Sequence, residues 1–105
     1  MKMIWTDFAI ENLKNIFDFY SKKANKKIAH KIRKDVLATA KQLLKNPNSG
    51  QIEFNLLELN QNHRYLVCGN FKIIYRIEGE LLIISDIFDG RQNPIKINDD
   101  KRQLK

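Results

Sequence analysis

The sequence predicts an α+β fold: an N-terminal strand, an antiparallel helical hairpin, and then a three- to four-stranded antiparallel sheet. Three observations predict it. Apolar residues recur at helical spacing from Ala9 to Leu44. The segment Asn46-Pro47-Asn48-Ser49-Gly50 then breaks the pattern, because proline lacks the N–H of the helical ladder and its predecessor avoids helical backbone. Beyond Gly50 the period shortens to two, as in Phe71, Ile73, Tyr75 and Ile77. Alternate residues of a strand face opposite sides, so this is the signature of a half-buried sheet.

Each element follows in order. Met3-Ile4-Trp5 reads as a short first strand, and Thr6 or Asp7 supplies an oxygen for a helix N-cap. Ala9, Leu13, Ile16, Phe17 and Tyr20 share one face of a helix that fades between Ser21 and Asn25. A second helix starts near Lys26 and carries Ile28, Ile32, Val36, Ala40, Leu43 and Leu44, a stripe expected to pack on the sheet through Ile83 and Ile87. The short link between the helices makes them an antiparallel pair. Phe54 to Leu59 is a candidate strand or irregular edge. Arg64 to Cys68 is a strand, Gly69-Asn70 a tight turn, and Phe71 to Ile77 the next strand. After the turn Glu78-Gly79-Glu80, the apolar run Leu81 to Phe88 reads as the most buried strand. Residues 1–105 are expected to form a single domain, with 95–105 read as a flexible tail.

The net charge of +7 and a pI near 9.6 favour anionic partners: RNA, DNA or an acidic protein, and less readily a membrane surface. Apolar content of 43% supports a packed core and argues against disorder. Cys68 is the one cysteine, which excludes a disulfide framework and a thiolate metal cage; between Val67 and Gly69 it reads as a packed thiol. No His cluster or set of acidic residues has metal-ligand spacing, so no metal or cofactor is expected. The N-terminal apolar stretch is too short for a signal peptide, and no other stretch could span a bilayer, so a cytoplasmic protein is expected.

The candidate functional residues are cations on strands. Lys72 and Arg76 fall on the parity opposite to Phe71, Ile73, Tyr75 and Ile77. Arg64 comes from the preceding strand and Arg91 follows the next, so all four could converge on one basic surface. Such a surface suits an acidic partner or a phosphate backbone. The competing reading is solvated strand charge that discourages edge-to-edge aggregation. Arg64 could also serve structure alone by pairing with Glu58 or Asp86, and Asp86 or Asp89 could hold the arginines in place. Tyr75 reads as a core aromatic, and His63 as an exposed turn histidine. The cations of the second helix, Lys26, Lys27, Lys31, Arg33, Lys34, Lys41 and Lys45, read as its solvated face.

Several pieces of the chain, in this order and spacing, resemble the RelE/ParE superfamily. They are Trp5-Thr6 ahead of Ala9, Leu13 and Ile16, then Arg64-Tyr65-Leu66, Asn70 to Ile77, and Ile87-Phe88-Asp89-Gly90-Arg91-Gln92-Asn93-Pro94. That superfamily comprises toxins of type II toxin–antitoxin systems, often labelled plasmid stabilization proteins. The resemblance spans nearly the whole chain. It implies an acidic antitoxin as partner, a growth-inhibiting activity, and a homodimer or toxin–antitoxin heterotetramer as the assembly.

The resemblance leaves two activities open. RelE-like members cut mRNA on the ribosome without a metal, using cations that stabilise the phosphorane and an acid/base group. ParE-like members inhibit DNA gyrase. The cations of the nuclease members match Lys72 and Arg91 here, with Arg64 matched across a one-residue gap. The catalytic candidates are therefore Arg64, Lys72 and Arg91, and Arg76 joins them as a contact for target or antitoxin. The nucleases also carry a Tyr or a His-Tyr pair near the C-terminus. This chain has Asp89 near the usual His position and no Tyr or His after Tyr75. The resemblance therefore tilts toward a ParE-like toxin, with a metal-independent endoribonuclease and a non-toxic interaction module of the same fold as alternatives.

Overall fold

The computed structural model describes residues 1–91 and Ile97. Strand β1 spans Lys2–Trp5, helix α1 Asp7–Lys23 and helix α2 Lys26–Gln42. Then come β2 (Gln51–Ile52), a 3-10 helix (Phe54–Leu59), β3 (Arg64–Cys68), β4 (Phe71–Glu78) and β5 (Leu81–Asp89). Thr6 caps α1 by accepting from the Ala9 N–H at 3.1 Å. Its own hydroxyl donates to the Ser85 carbonyl at 3.2 Å, which ties the start of the hairpin to β5. Asn25 caps α2 by accepting from the Ile28 N–H at 2.9 Å.

The five strands run in the order β1-β5-β4-β3-β2. The α+β order matches the expectation, but the sheet is mixed. β1 lies parallel to β5, with Ile4 opposite Ile83, while the other neighbours are antiparallel. A hairpin turn can only make antiparallel neighbours; a parallel pair needs a long crossover. Here residues 6–80 separate β1 from β5, so local patterning around four residues could not reveal their relative direction. Phe54–Leu59 departs from the strand expectation in the same way. Leu56 is buried and Leu59 partly so, a spacing of three that suits a 3-10 turn. Glu53 caps this helix through the Asn55 N–H, and Asn60 closes it at a left-handed φ of 53°.

The main core lies between the hairpin and one face of the sheet. Ala9, Leu13, Val36, Ala40 and Leu43 meet Phe71, Ile73, Tyr75, Leu82, Ile84 and Ile87. The stripe on α2 is rotated from the expected one. Ala29 is buried, whereas Ile28 and Leu44 are exposed and Ile32 is only partly covered. Ile83 also departs from expectation. The register passes from Ile74 opposite Asp86 to Tyr75 opposite Ile84, a bulge that leaves Ser85 unmatched. Parity switches there, so Leu82 and Ile84 face the hairpin before it and Ile87 after it, while Ile83 pairs with Arg76 on the far side.

That far side carries a second, smaller core of Leu56, Ile74, Phe88 and Ile97, flanked by Leu59 and Tyr65. The expected tail, 95–105, lies outside the described residues apart from buried Ile97. Tyr75 is the core aromatic the parity predicted. Its hydroxyl donates to the Pro47 carbonyl at 2.7 Å and accepts from the Gly50 N–H at 2.9 Å, pinning the turn after α2. Gly50 has no room for a side chain, since a Cβ there would sit 2.4 Å from that hydroxyl. Burial raises the phenol's pKa, which keeps the donor in place.

Candidate functional site

Strand β4 sends Lys72 and Arg76 to the face away from the hairpin. Lys72 meets Glu53 at 3.0 Å and lies over the Tyr65 ring, 4.3 Å from its centroid. Glu53 is only 2% exposed and also accepts from the Asn55 backbone and side-chain amides at 3.2 Å. Lys72 therefore anchors the start of the 3-10 helix to the sheet. Arg76 pairs with Glu78 two residues along its own strand.

His63, expected in an exposed turn, is instead 3% exposed, and its Nδ1 has no hydrogen-bond partner among the described residues. Its carbonyl accepts from the Glu53 N–H at 2.9 Å. Burial, and to a lesser extent Arg76, lowers its pKa to about 4, against the opposing pull of Glu53. A neutral, enclosed ring of this kind is structural. The sequence signal was the turn residue Asn62 beside it, which describes the backbone and not where the ring goes.

Arg64 lies opposite Tyr75 in the register of β3 and β4. Its guanidinium donates to the Gly50 carbonyl at 2.8 Å, with the Asn48 carbonyl at 3.5 Å. It reinforces the turn that Tyr75 holds. Asp86 accepts instead from the Asn12 side-chain amide on α1 at 2.7 Å.

Arg91 stands apart from the other three. Asp89 lies opposite Phe71, on the hairpin side of the sheet, and its Oδ1 accepts from the Arg91 backbone N–H at 3.0 Å. The same carboxylate takes the Arg91 Nε at 3.1 Å and Nη2 at 2.8 Å. Nη2 also donates to the Tyr20 hydroxyl, and the guanidinium lies 5.5 Å from the centroid of that ring. Tyr20 in turn packs edge-on against Phe71. The Arg91 side chain nevertheless stays 55% exposed. Two grooves meet at Tyr20 and Arg91. One, of about 300 Å³, runs along α1 past Asn12, Asn15, Ile16 and Phe19. The other, of about 200 Å³, passes Ile32, Asp35 and Cys68. The Cys68 thiol is half-buried and accepts from the Thr39 hydroxyl at 3.5 Å.

The expected convergence of Arg64, Lys72, Arg76 and Arg91 does not occur. Lys72 and Arg76 point to one side of the sheet, and Arg91 reaches α1 on the other. Lys72, Arg76 and Arg91 each carry a carboxylate of the chain itself. Tyr20 is the residue that sequence reasoning missed: a helical spacing placed it in the core stripe, and nothing local connected it with Arg91. A third groove, of about 440 Å³, opens on the other flank of α1 between Trp5, Ile10, Phe17 and Leu37. Lys14 and Arg33 rim it, and Arg33 lies 4.9 Å from the centroid of the Phe17 ring. Ile10 and Leu37 are half exposed there. Among the described residues no helix is long and apolar enough to cross a membrane.

The family model for the ParE toxin of type II toxin–antitoxin system, parDE, matches residues 3–94. The fold is similar to a solved chain described as the chromosomal ParDE TA system from P. aeruginosa, with a TM-score of 0.71 and 25% identity. That alignment covers 85% of this chain and 95% of the other. No curated protein matches the chain.

Proposed function

The chain belongs to the ParE toxin family of type II toxin–antitoxin systems, and from that premise we propose that it inhibits growth by acting on DNA gyrase in the cytoplasm. Membership makes it a toxin of the ParE type with an antitoxin as partner. One observation favours a binding inhibitor over a nuclease: Lys72 and Arg91 project to opposite sides of the sheet. Lys72 touches Glu53 and Tyr65, while Arg91 touches Tyr20 of α1. Transphosphorylation needs its cations and its acid/base group around one phosphate. With the cations apart, RelE-like cleavage loses its phosphorane clamp.

The antitoxin then neutralises the toxin through an acidic, amphipathic segment lying in the groove of Trp5, Ile10, Phe17 and Leu37. The apolar floor takes its hydrophobic side, and Lys14 and Arg33 take its carboxylates. Expression of the toxin without antitoxin should stop DNA replication and induce the DNA-damage response before translation falls. Ribosome-dependent mRNA cuts that disappear in Arg91→Ala would overturn this reading in favour of a RelE-like endoribonuclease.

A further inference from the structure

The charge of the chain is concentrated on one helix. Nine of its 19 Lys and Arg, but only one of its 12 Asp and Glu, lie between Lys22 and Lys45. That stretch carries +8, so the other 81 residues together carry −1. Lys27, Lys31, Lys34, Ala38 and Lys41 recur every three or four residues, which puts them on one face of α2. Lys45 continues the row in the turn after the helix. All of these residues are exposed, and their face lies opposite the buried stripe of Ala29, Val36 and Ala40. Lys31 pairs with Asp35, the one acid of the stretch, at 2.8 Å. Lys27, Lys34, Lys41 and Lys45 have no ion pair among the described residues. At about 1.5 Å per residue, the row from Lys27 to Lys41 runs roughly 21 Å.

A solvated helix face ordinarily mixes the two signs and places its acids near the N-terminus. This one does the reverse. Lys26 and Lys27 occupy the first turn of α2, which holds no acid, at the positive end of the helix dipole. Lys27 and Lys31, like Lys41 and Lys45, are like charges four residues apart, a spacing that destabilises a helix. Local choices that work against the free protein mark a surface kept for a ligand. The row has no aromatic side chain on which unpaired bases could stack. It has no apolar side chain larger than that of Ala38, so it lacks the anchors of a protein interface and the apolar face of a membrane-surface helix. Exposed Ile28, Leu37 and Leu44 lie off the row, on its flanks. What remains is a line of point charges, which complements a regular line of phosphates.

We propose that the lysine row of α2 is a binding surface for duplex DNA, lying along the phosphate backbone without regard to base sequence. Lysines offer mobile point charges and not the planar forks that read base edges, so they position without specifying. The surface holds the toxin on the DNA that gyrase carries. The choice of DNA over duplex RNA rests on the gyrase reading; the row itself rests on the charge and its placement.

The test is fluorescence anisotropy of the purified toxin with a labelled DNA duplex of arbitrary sequence, over a series of salt concentrations. The logarithm of the affinity should fall against the logarithm of the salt with a slope of about −4, close to one counterion for each unpaired lysine. Lys34→Gln alone should reduce that slope by about 1. Lys27→Gln, Lys34→Gln, Lys41→Gln and Lys45→Gln combined should bring it near zero and weaken low-salt binding roughly a hundredfold or more. Arginine at the same positions should bind as wild type does. The combined Gln variant should melt no lower than wild type, because repulsion along α2 is relieved. Removing equal charge through Lys96→Gln, Lys101→Gln, Arg102→Gln and Lys105→Gln should leave most of the slope in place. An equal loss from that second set would show that only total charge matters, and would overturn the proposal. So would a lowered melting temperature in the combined variant, or tighter binding to an RNA duplex of the same sequence. Loss of antitoxin affinity in the combined variant with DNA affinity unchanged would assign the row to the antitoxin instead. Gyrase inhibition by a toxin that does not bind duplex DNA would defeat the row and leave the gyrase reading intact. DNA binding through the row with gyrase undisturbed would support the row and defeat the gyrase reading.

Discussion

Replacing Glu53 by Gln should destabilise the fold substantially. Glu53 is 2% exposed and holds Lys72 at 3.0 Å, while Lys72 keeps 22% of its surface in water. Removing one partner of a fully buried pair costs about 3–5 kcal/mol, because the other charge is left uncompensated. Lys72 is partly solvated, so we expect about 2–3 kcal/mol. The amide can still accept from Asn55, so most of that loss reports charge and not capping. Urea unfolding followed by far-UV circular dichroism measures it, with Lys72→Met and the double variant completing a cycle. The coupling should be about 1–2 kcal/mol, and the double variant should recover part of the loss, since neither Gln nor Met leaves a stranded charge. A coupling below about 0.5 kcal/mol would show that the pair does not hold the 3-10 helix. Lys72 would then be available for the contact role that the sequence suggested.

Two further perturbations test the fold. His63 titrates at about 4 when folded and near 6.5 when free, so its contribution is fully present above about pH 6.5 and is lost as pH falls toward 4. The shift corresponds to roughly 3 kcal/mol, reduced to about 2 for solvent screening. Unfolding free energies across that range should fall by this amount more in wild type than in His63→Gln; parallel curves would place the ring in water. In the main core, Leu43→Ala should cost about 2–5 kcal/mol, as Leu43 is fully buried. Ile32→Ala should cost less because it is only partly covered, and Lys34→Ala should stay within about 0.5 kcal/mol. An Ile32→Ala loss equal to that of Leu43→Ala would contradict the rotated stripe on α2.

The legible part of the fold was its periodicity and its punctuation. Thr6 and Pro47 bound the helical hairpin, and the alternation around Tyr75 gave the buried face of β4, because these signals are local. What stayed hidden depends on contacts between distant segments. The bulge at Ser85 turned Ile83 away from the hairpin, and no residue type there marks an extra register step. The parallel pairing of β1 with β5 joins opposite parts of the described chain. The site was legible as a set of cations but not as an arrangement. Parity correctly put Lys72 and Arg76 on the face opposite Phe71. It could not show that Glu53, 19 residues upstream, would return to pair with Lys72, or that Tyr20 would meet Arg91. Family resemblance carried the functional class further than any single residue did, because it draws on the order of elements along nearly the whole chain.

The most direct measurement is DNA supercoiling by purified gyrase, titrated with the toxin alone and with the toxin preincubated with its antitoxin. The expected result is loss of supercoiling with accumulation of cleaved DNA, reversed by the antitoxin, while ribosome-bound mRNA in a parallel translation reaction stays intact. Undisturbed gyrase together with cut mRNA would contradict the account.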